Sequence, residues 1–187
     1  MDAYLEITLR PDPEFGQQLL LDALMGKLHR GLVGAETNAI GVSFPRYSEK
    51  PRNLGDQLRL HGTADQLGSL MAQAWLTGMS DHLLVSDIKP APAEARYRVV
   101  RRIQPKTNAE RLRRRYQQRH AVSEEEVRSL IPDSVVKPVS APFLSLRSAS
   151  TGRRFALFVD HGPLLNEPVN GEFSSYGLSQ AGTIPWF

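Results

Sequence analysis

The chain has 187 residues, 41% hydrophobic and 7% aromatic, which is enough to bury a real core and too apolar for a disordered chain. It has no cysteine, which excludes disulfides, thiolate zinc sites and thiol nucleophiles together. The net charge is only +3, yet residues 101–119 hold eight basic residues (Arg101, Arg102, Lys106, Arg111, Arg113, Arg114, Arg115, Arg119) against Glu110 alone, so the rest of the chain is net acidic and the positive charge is placed rather than spread.

In chain order, Tyr4–Leu9 alternates apolar and polar residues, as a half-buried strand does, and Pro11 and Pro13 end it. An amphipathic helix is predicted from about 14 to 33, with Leu21, Leu24, Met25, Leu28 and Leu32 as its apolar stripe. Residues 39–44 read as a second strand, 45–53 as a polar loop and Gln57–Gly62 as a third strand. Thr63 is placed to cap a second helix running to Trp75, and His82–Ile88 reads as a fourth strand. Strand, helix, strand, strand, helix, strand is the split βαβ, ferredoxin-like pattern. An α+β protein is therefore expected, with residues 1–93 as a ferredoxin-like domain and a proline-rich break at 89–94. Residues 94–187 are expected to form a smaller α+β domain carrying an arginine-rich helix at about 107–119.

Within that second part, Arg96–Gln104 alternates as a basic strand. Thr107 with Glu110, and Ser123 with Glu126, have the spacing of capping boxes, and Pro132 stops the second of these helices. Phe143–Arg147, Phe155–Val159 and Glu172–Tyr176 are short strand candidates, followed by a glycine-rich tail. The start of the chain has early acids and a proline soon after its first apolar run, so it does not read as a signal peptide, and no apolar stretch approaches a membrane span. A soluble, cytoplasmic protein is the expectation.

On a helical wheel Arg111, Arg114, Arg115 and Arg119 share one broad face, with Leu112 and Tyr116 to one side as a packing seam and Arg113 pointing away. Like charges so crowded repel, and a polyanion relieves them. Guanidinium forks donate paired hydrogen bonds to a phosphate or a guanine edge, so a nucleic-acid partner is expected. None of the five histidines (His29, His61, His82, His120, His161) forms a metal pair at helical spacing, and no GxSxG, Walker loop, HExxH or two-metal carboxylate cluster occurs in the basic half. No cofactor is expected. One economical chemistry remains for RNA: the substrate's own 2′-hydroxyl attacks the adjacent phosphate, and the protein supplies a proton acceptor, a group holding the hydroxyl and in-line geometry. His29, Ser148 and Tyr176 have the residue types for it, although a lone histidine on a helix shoulder, a serine in a turn and a surface tyrosine each have ordinary structural readings too.

Several stretches carry a family resemblance: residues 9–15 (LRPDPEF), 26–29 (GKLH), 40–45 (IGVSFP), 110–115 (ERLRRR), 123–126 (SEEE), 146–148 (LRS), 161–164 (HGPL), 176–179 (YGLS) and the final Pro-Trp-Phe. End to end, the chain resembles the CRISPR-associated repeat-processing endoribonucleases of the type I-F system, the Csy family. The resemblance implies binding of a CRISPR repeat stem-loop. It implies metal-independent cleavage at the 3′ base of the stem, leaving a cyclic phosphate and a 5′-hydroxyl. It further implies retention of the product as cap of a larger Csy surveillance complex. By the same resemblance His29 handles the proton, Ser148 constrains the attacking ribose and Tyr176 supports the histidine. Arg102 and Gln104 read base edges, Phe155 stacks on the terminal base pair, and Arg114, Arg115 and Arg119 line the groove. Arg102 and Gln104, two apart on a strand, share a face, and such side chains select guanine and adenine. Gln118 departs from the family pattern, which has arginine there, and one lost guanidinium weakens phosphate contacts. A catalytically inactive hairpin-binding module and a basic DNA-binding protein stand as alternatives.

Overall fold

In a computed structural model, the structure describes residues 1–104, 109–120, 122–135, 139–148 and 150–187. The proposed cap Thr107 lies outside the described residues. The chain begins with β1 (Ala3–Leu9), whose alternate residues are buried, as the sequence pattern requires. Helix α1 (Gln17–Gly34) follows. Leu21, Leu24, Met25, Leu28 and Leu32 are all buried, so the apolar stripe is the face that packs. Truncating one of these leucines to alanine costs about 2–5 kcal/mol in a well-packed core. Strands β2 (Gly41–Ser43) and β5 (Gln57–Gly62) flank a small hairpin, β3 (Ser48–Glu49) with β4 (Arg52–Asn53), inside the segment expected to be loop.

Helix α2 (Ala64–Met71) opens on a full capping box. The Thr63 hydroxyl accepts from the Gln66 N–H at 3.3 Å while the Gln66 side chain accepts from the Thr63 N–H at 2.9 Å. The helix ends before Trp75, short of the sequence expectation. Ala74 takes a left-handed φ of 50°, and the chain turns so that Trp75 packs against Gly31 of α1. Strand β6 (Leu83–Val85) completes the path β2-β5-β1-β6, antiparallel at each pairing, and β7 (Lys89–Pro90) also pairs with β1. Each helix therefore connects two strands of one sheet that are not neighbours.

The second sheet runs β11 (Ile184–Trp186), β8 (Arg96–Ile103), β10 (Arg154–Leu165), β9 (Phe143–Arg147). The architecture is mixed α+β with antiparallel pairing. One sequence expectation fails here. Glu172–Tyr176 is not a strand: the Phe173 N–H donates to the Asn38 carbonyl, and the chain then closes a turn in which the Gly177 N–H donates to Ser174 O at 2.7 Å. The glycine-rich tail, for which the sequence gives no element, supplies β11, which pairs with β8. No described helix is long and apolar enough to cross a membrane.

By their contacts the residues form two compact units, Met1–Arg102 with Ala141–Phe187, and Ile103–Ser140. Both sheets belong to the first apart from Ile103 at the end of β8, and the proline-rich stretch at 89–94 starts inside the first sheet, as β7, before the chain enters the second. In the second unit, α3 (Ala109–Arg119) packs on α4 (Glu124–Leu130), whose capping box forms between Ser123 and Glu126. Arg113, read as merely turned away from the charged face, is a packing residue: it donates to the Ile131 carbonyl at 2.9 Å and pairs with Asp133 at 2.8 Å.

Within the first unit, Glu6 and Arg59 face each other across β1 and β5, joined at 2.6 Å. Arg59 also donates to the Phe187 carbonyl at 2.9 Å and lies 3.9 Å from the centre of its ring. A buried guanidinium is tolerable only with its donors used in this way. His61, on the same strand, bonds the Ser43 hydroxyl at 2.8 Å, and burial, then the Arg59 charge, lowers its pKa to about 3. His161 stacks on Tyr47 at 3.9 Å, and burial, then Arg98, lowers its pKa to about 4.

Unfolded, both histidines take a proton near pH 6.5; folded, neither does until pH 4 or below. Stability is therefore complete above pH 6.5 and is lost as pH falls toward 4, at up to about 1.4 kcal/mol per pH unit for each histidine. Urea titrations across that window should show the slope, and His161→Phe should make it shallower. Gly177 has φ 68°, and a Cβ there would overlap the Val42 side chain. Gly177→Ala should destabilise by about 1–3 kcal/mol in the same assay.

Candidate functional site

Helix α1 presents Asp22, Gly26, His29 and Arg30 within one arc of about 100°. Alongside runs β9, in the same direction as the helix. The Gln18 side chain donates to the Phe143 carbonyl at 3.1 Å, and one turn later the Ser145 N–H donates to Asp22 at 2.9 Å. From that second bond, His29 is seven residues along a helix and Ser148 three along a strand. At 1.5 Å and 3.3 Å per residue both advance about 10 Å. Ser148 and His29 therefore both lie about 10 Å of chain beyond that bond on elements that run in the same direction, and no hydrogen bond joins the two among the described residues.

Ser148 opens the turn between β9 and β10. Its N–H donates to Arg153 O, and its carbonyl accepts from Gly152, both at 2.9 Å. Its hydroxyl lies 3.1 Å from that of Ser150 and accepts from the Thr151 N–H at 3.3 Å. Arg147 braces the turn by donating to the Gly152 carbonyl at 2.9 Å. The hydroxyl is thus held by local bonds and half-exposed.

His29 is half-buried, and its Nδ1 lies 3.0 Å from the Ser175 carbonyl oxygen. A carbonyl can only accept, so Nδ1 carries the proton. The neutral ring then has its lone pair on Nε2, and the charged ring has a donor there. The ring stacks on Tyr176, centroids 4.1 Å apart and planes 6° from parallel. Tyr176 meets the edge of Phe155 at 6.5 Å, and the Arg102 guanidinium lies 5.5 Å from the Phe155 ring centre. Burial raises the Tyr176 pKa, offset in part by the Arg102 charge. His29, Tyr176, Phe155 and Arg102 therefore form one continuous chain of contacts.

The other histidines are engaged elsewhere: His61 and His161 are held neutral in the core, His82 pairs with Asp12 at 2.8 Å, and His120 packs on Tyr116. His29 alone of the five combines a fixed tautomer with contact to a second candidate residue.

Gln104 is exposed one residue beyond β8, so the shared strand face with Arg102 ends before it. In α3, Arg111, Arg114, Arg115, Gln118 and Arg119 are exposed together, whereas Ala109, Leu112, Arg113 and Tyr116 are buried or half-buried. The charged face and the packing seam divide as the wheel has them.

Sequence reasoning missed Ser175, whose carbonyl fixes the histidine tautomer; a backbone acceptor leaves no side-chain signal. It also missed Gly177, for which glycine directly after a candidate tyrosine was a usable clue to a left-handed turn, and Gln180, which donates to the Arg102 carbonyl at 3.0 Å.

The sequence profile of the family described as CRISPR-associated protein (Cas_Csy4) matches residues 4–187. The chain is 50% identical over 187 residues to the CRISPR-associated endonuclease Cas6/Csy4 of Pseudomonas aeruginosa (strain UCBPP-PA14), covering 100% of both chains. It is 45% identical, over the same full length of both, to the protein of that name in Escherichia coli (strain UTI89 / UPEC). With the match running through both sheets, α3 and the residues around His29, the chain belongs to the Cas_Csy4 family of CRISPR-associated proteins.

Proposed function

We propose that the chain is an endoribonuclease that processes CRISPR precursor RNA. It cuts at the 3′ base of a repeat stem-loop by 2′-hydroxyl attack, without a metal ion, and keeps the hairpin product. The observation that supports this reading is the bond from His29 Nδ1–H to the Ser175 carbonyl, which leaves Nε2 as the ring nitrogen able to exchange a proton with a substrate. The relatives' names, CRISPR-associated endonucleases, support the substrate class.

In this reading the 2′-oxygen attacks the adjacent phosphorus as its proton leaves, and the bond to the 5′-oxygen breaks. The products are a 2′,3′-cyclic phosphate and a 5′-hydroxyl. His29 Nε2 accepts the first proton, supplies the second to the leaving oxygen, or does both in turn. Ser148 holds the ribose whose hydroxyl attacks. Tyr176 keeps the imidazole plane fixed by stacking. Phe155 provides a flat face for the terminal base pair, with Arg102 beside it. Gln104 reads a base edge near the end of β8, and Arg111, Arg114, Arg115 and Arg119 meet the stem's phosphates. The strand order of the first sheet fits a ferredoxin-like domain in residues 1–93, with 94–187 carrying most RNA contacts. The protein would work in the cytoplasm as the hairpin-holding member of a type I-F (Csy) surveillance complex.

A repeat hairpin from the same genome, incubated with the protein in excess EDTA, should be cut to a cyclic phosphate end. A single 2′-deoxy before the scissile phosphate should leave it intact while still bound. His29→Ala should abolish cutting and preserve binding. Tight binding with no cleavage of the all-RNA hairpin would instead leave a binding-only module. The Tyr176 hydroxyl makes no hydrogen bond among the described residues, so the ring carries its role. Tyr176→Phe should keep single-turnover cleavage near that of the unmodified protein. Tyr176→Ala should lower it by about 100-fold, the scale of a misplaced catalytic group, at unchanged hairpin affinity.

A further inference from the structure

Strand β9 ends the second sheet, with β10 on one side. Its bonds to β10 include the Pro142 carbonyl and the Ser148 N–H. In an antiparallel pair such bonds fall at every second residue, so the N–H and C=O groups of Phe143, Ser145 and Arg147 point away from β10. At an open edge these groups have no partner strand. Helix α1 supplies side chains in place of one. The Gln18 side chain donates to the Phe143 carbonyl at 3.1 Å, and Asp22 accepts from the Ser145 N–H at 2.9 Å. Gln18 also donates to Asp22, four residues along the helix, at 2.9 Å.

Local preference does not explain Asp22. It lies inside α1, where aspartate is a poor helix former, and beyond the first turn, where a negative charge gains from the helix dipole. It is half-buried, and burial raises its pKa against the Ser145 N–H, the Gln18 amide and the Arg154 charge, which lower it. An apolar side chain would pack there without that desolvation. It would not accept a hydrogen bond, and one oxygen of Asp22, Oδ1, accepts from both Ser145 and Gln18. That oxygen is tied to both candidate elements. His29 is two turns further along α1, within about 20° of the same direction. Ser148 is three residues further along β9, in a turn closed by its own bonds to Gly152 and Arg153, so the turn moves with the strand.

We infer, resting on the endoribonuclease reading above, that Asp22 is a positioning residue for the cleavage. By holding the Ser145 N–H it fixes β9 lengthwise against α1, and so fixes the Ser148 hydroxyl relative to the His29 ring. It touches neither the RNA nor the reacting atoms. Without the acceptor, β9 is free to slide along the helix, and the ribose held by Ser148 loses its in-line geometry. His29 keeps its own supports, the Ser175 carbonyl and the Tyr176 ring.

The test sets single-turnover cleavage of the repeat hairpin beside affinity for the hairpin blocked by a single 2′-deoxy. Protein is in excess, and the temperature is below the unfolding of every variant, so stability alone does not move the rate. Asp22→Leu keeps the bulk of the side chain and removes the acceptor. It should cut about 10–100-fold more slowly at unchanged affinity. Asp22→Asn keeps an amide oxygen at the same point and removes the charge, and it should recover most of the rate. Nitrogen-15 NMR should find the neutral His29 ring of Asp22→Leu still protonated on Nδ1. If circular dichroism shows that Asp22→Leu does not fold, Asp22→Ala takes its place with the same expectation. An acceptor-less variant that cuts as fast as the unmodified protein would overturn the assignment of Asp22 alone. So would an Asp22→Asn that is equally slow, a loss that lies in affinity, or a changed His29 tautomer. An unmodified protein that binds the hairpin and never cuts it would overturn the endoribonuclease reading and this inference with it.

Discussion

The passage of residues 173–179 is the constraint on which the rest of the first unit depends. It starts with the Phe173 N–H on the Asn38 carbonyl, reaches the Val42 N–H through the Gly177 carbonyl at 2.8 Å, and ends with the Ser179 N–H on Val100 of β8. One short segment is thus bonded to both sheets. Between its anchors it brings the Ser175 carbonyl and the Tyr176 ring to His29. The left-handed Gly177 is the point at which no side chain fits. The catalytic geometry proposed here is therefore a consequence of how two sheets are joined, not an addition to a finished fold.

The arginines divide by environment. Arg59, Arg98 and Arg113 are structural: Arg59 answers Glu6 across a strand pair, Arg98 lies 4.5 Å from the Trp186 ring centre and donates to the Tyr47 hydroxyl, and Arg113 ties α3 to the end of α4. The guanidiniums of α3's outer face are exposed to water instead. The enclosed arginines hold the fold, and the exposed ones are those on which the proposed function calls for phosphate, which is why local placement says more here than the modest net charge.

Much of this was legible in the sequence. The α1 stripe, β5, both helix starts at Thr63 and Ser123, and the split of α3 into charged and packing faces follow from periodicity and capping, which are local. Phe143–Arg147 was legible to the residue because alternation and flanking small residues bound it. What was not legible depends on distant partners. Glu172–Tyr176 alternates like a strand, but its backbone bonds to a loop and then to itself. Ile184–Trp186 carries a proline and pairs at the edge of a sheet that only the folded chain assembles. For the site, His29 was one histidine among five. Its distinction lies in a backbone carbonyl 146 residues away, which residue type alone does not signal.

The central claim is that His29 holds its proton on Nδ1 and keeps Nε2 for the reaction. The most direct measurement is the tautomer of His29 by nitrogen-15 NMR of the imidazole, assigned through His29→Asn and followed from the neutral to the protonated form. A neutral ring with protonated Nδ1 and a bare Nε2 is the expected result. A neutral ring protonated on Nε2 would break the bond to Ser175 and contradict the account.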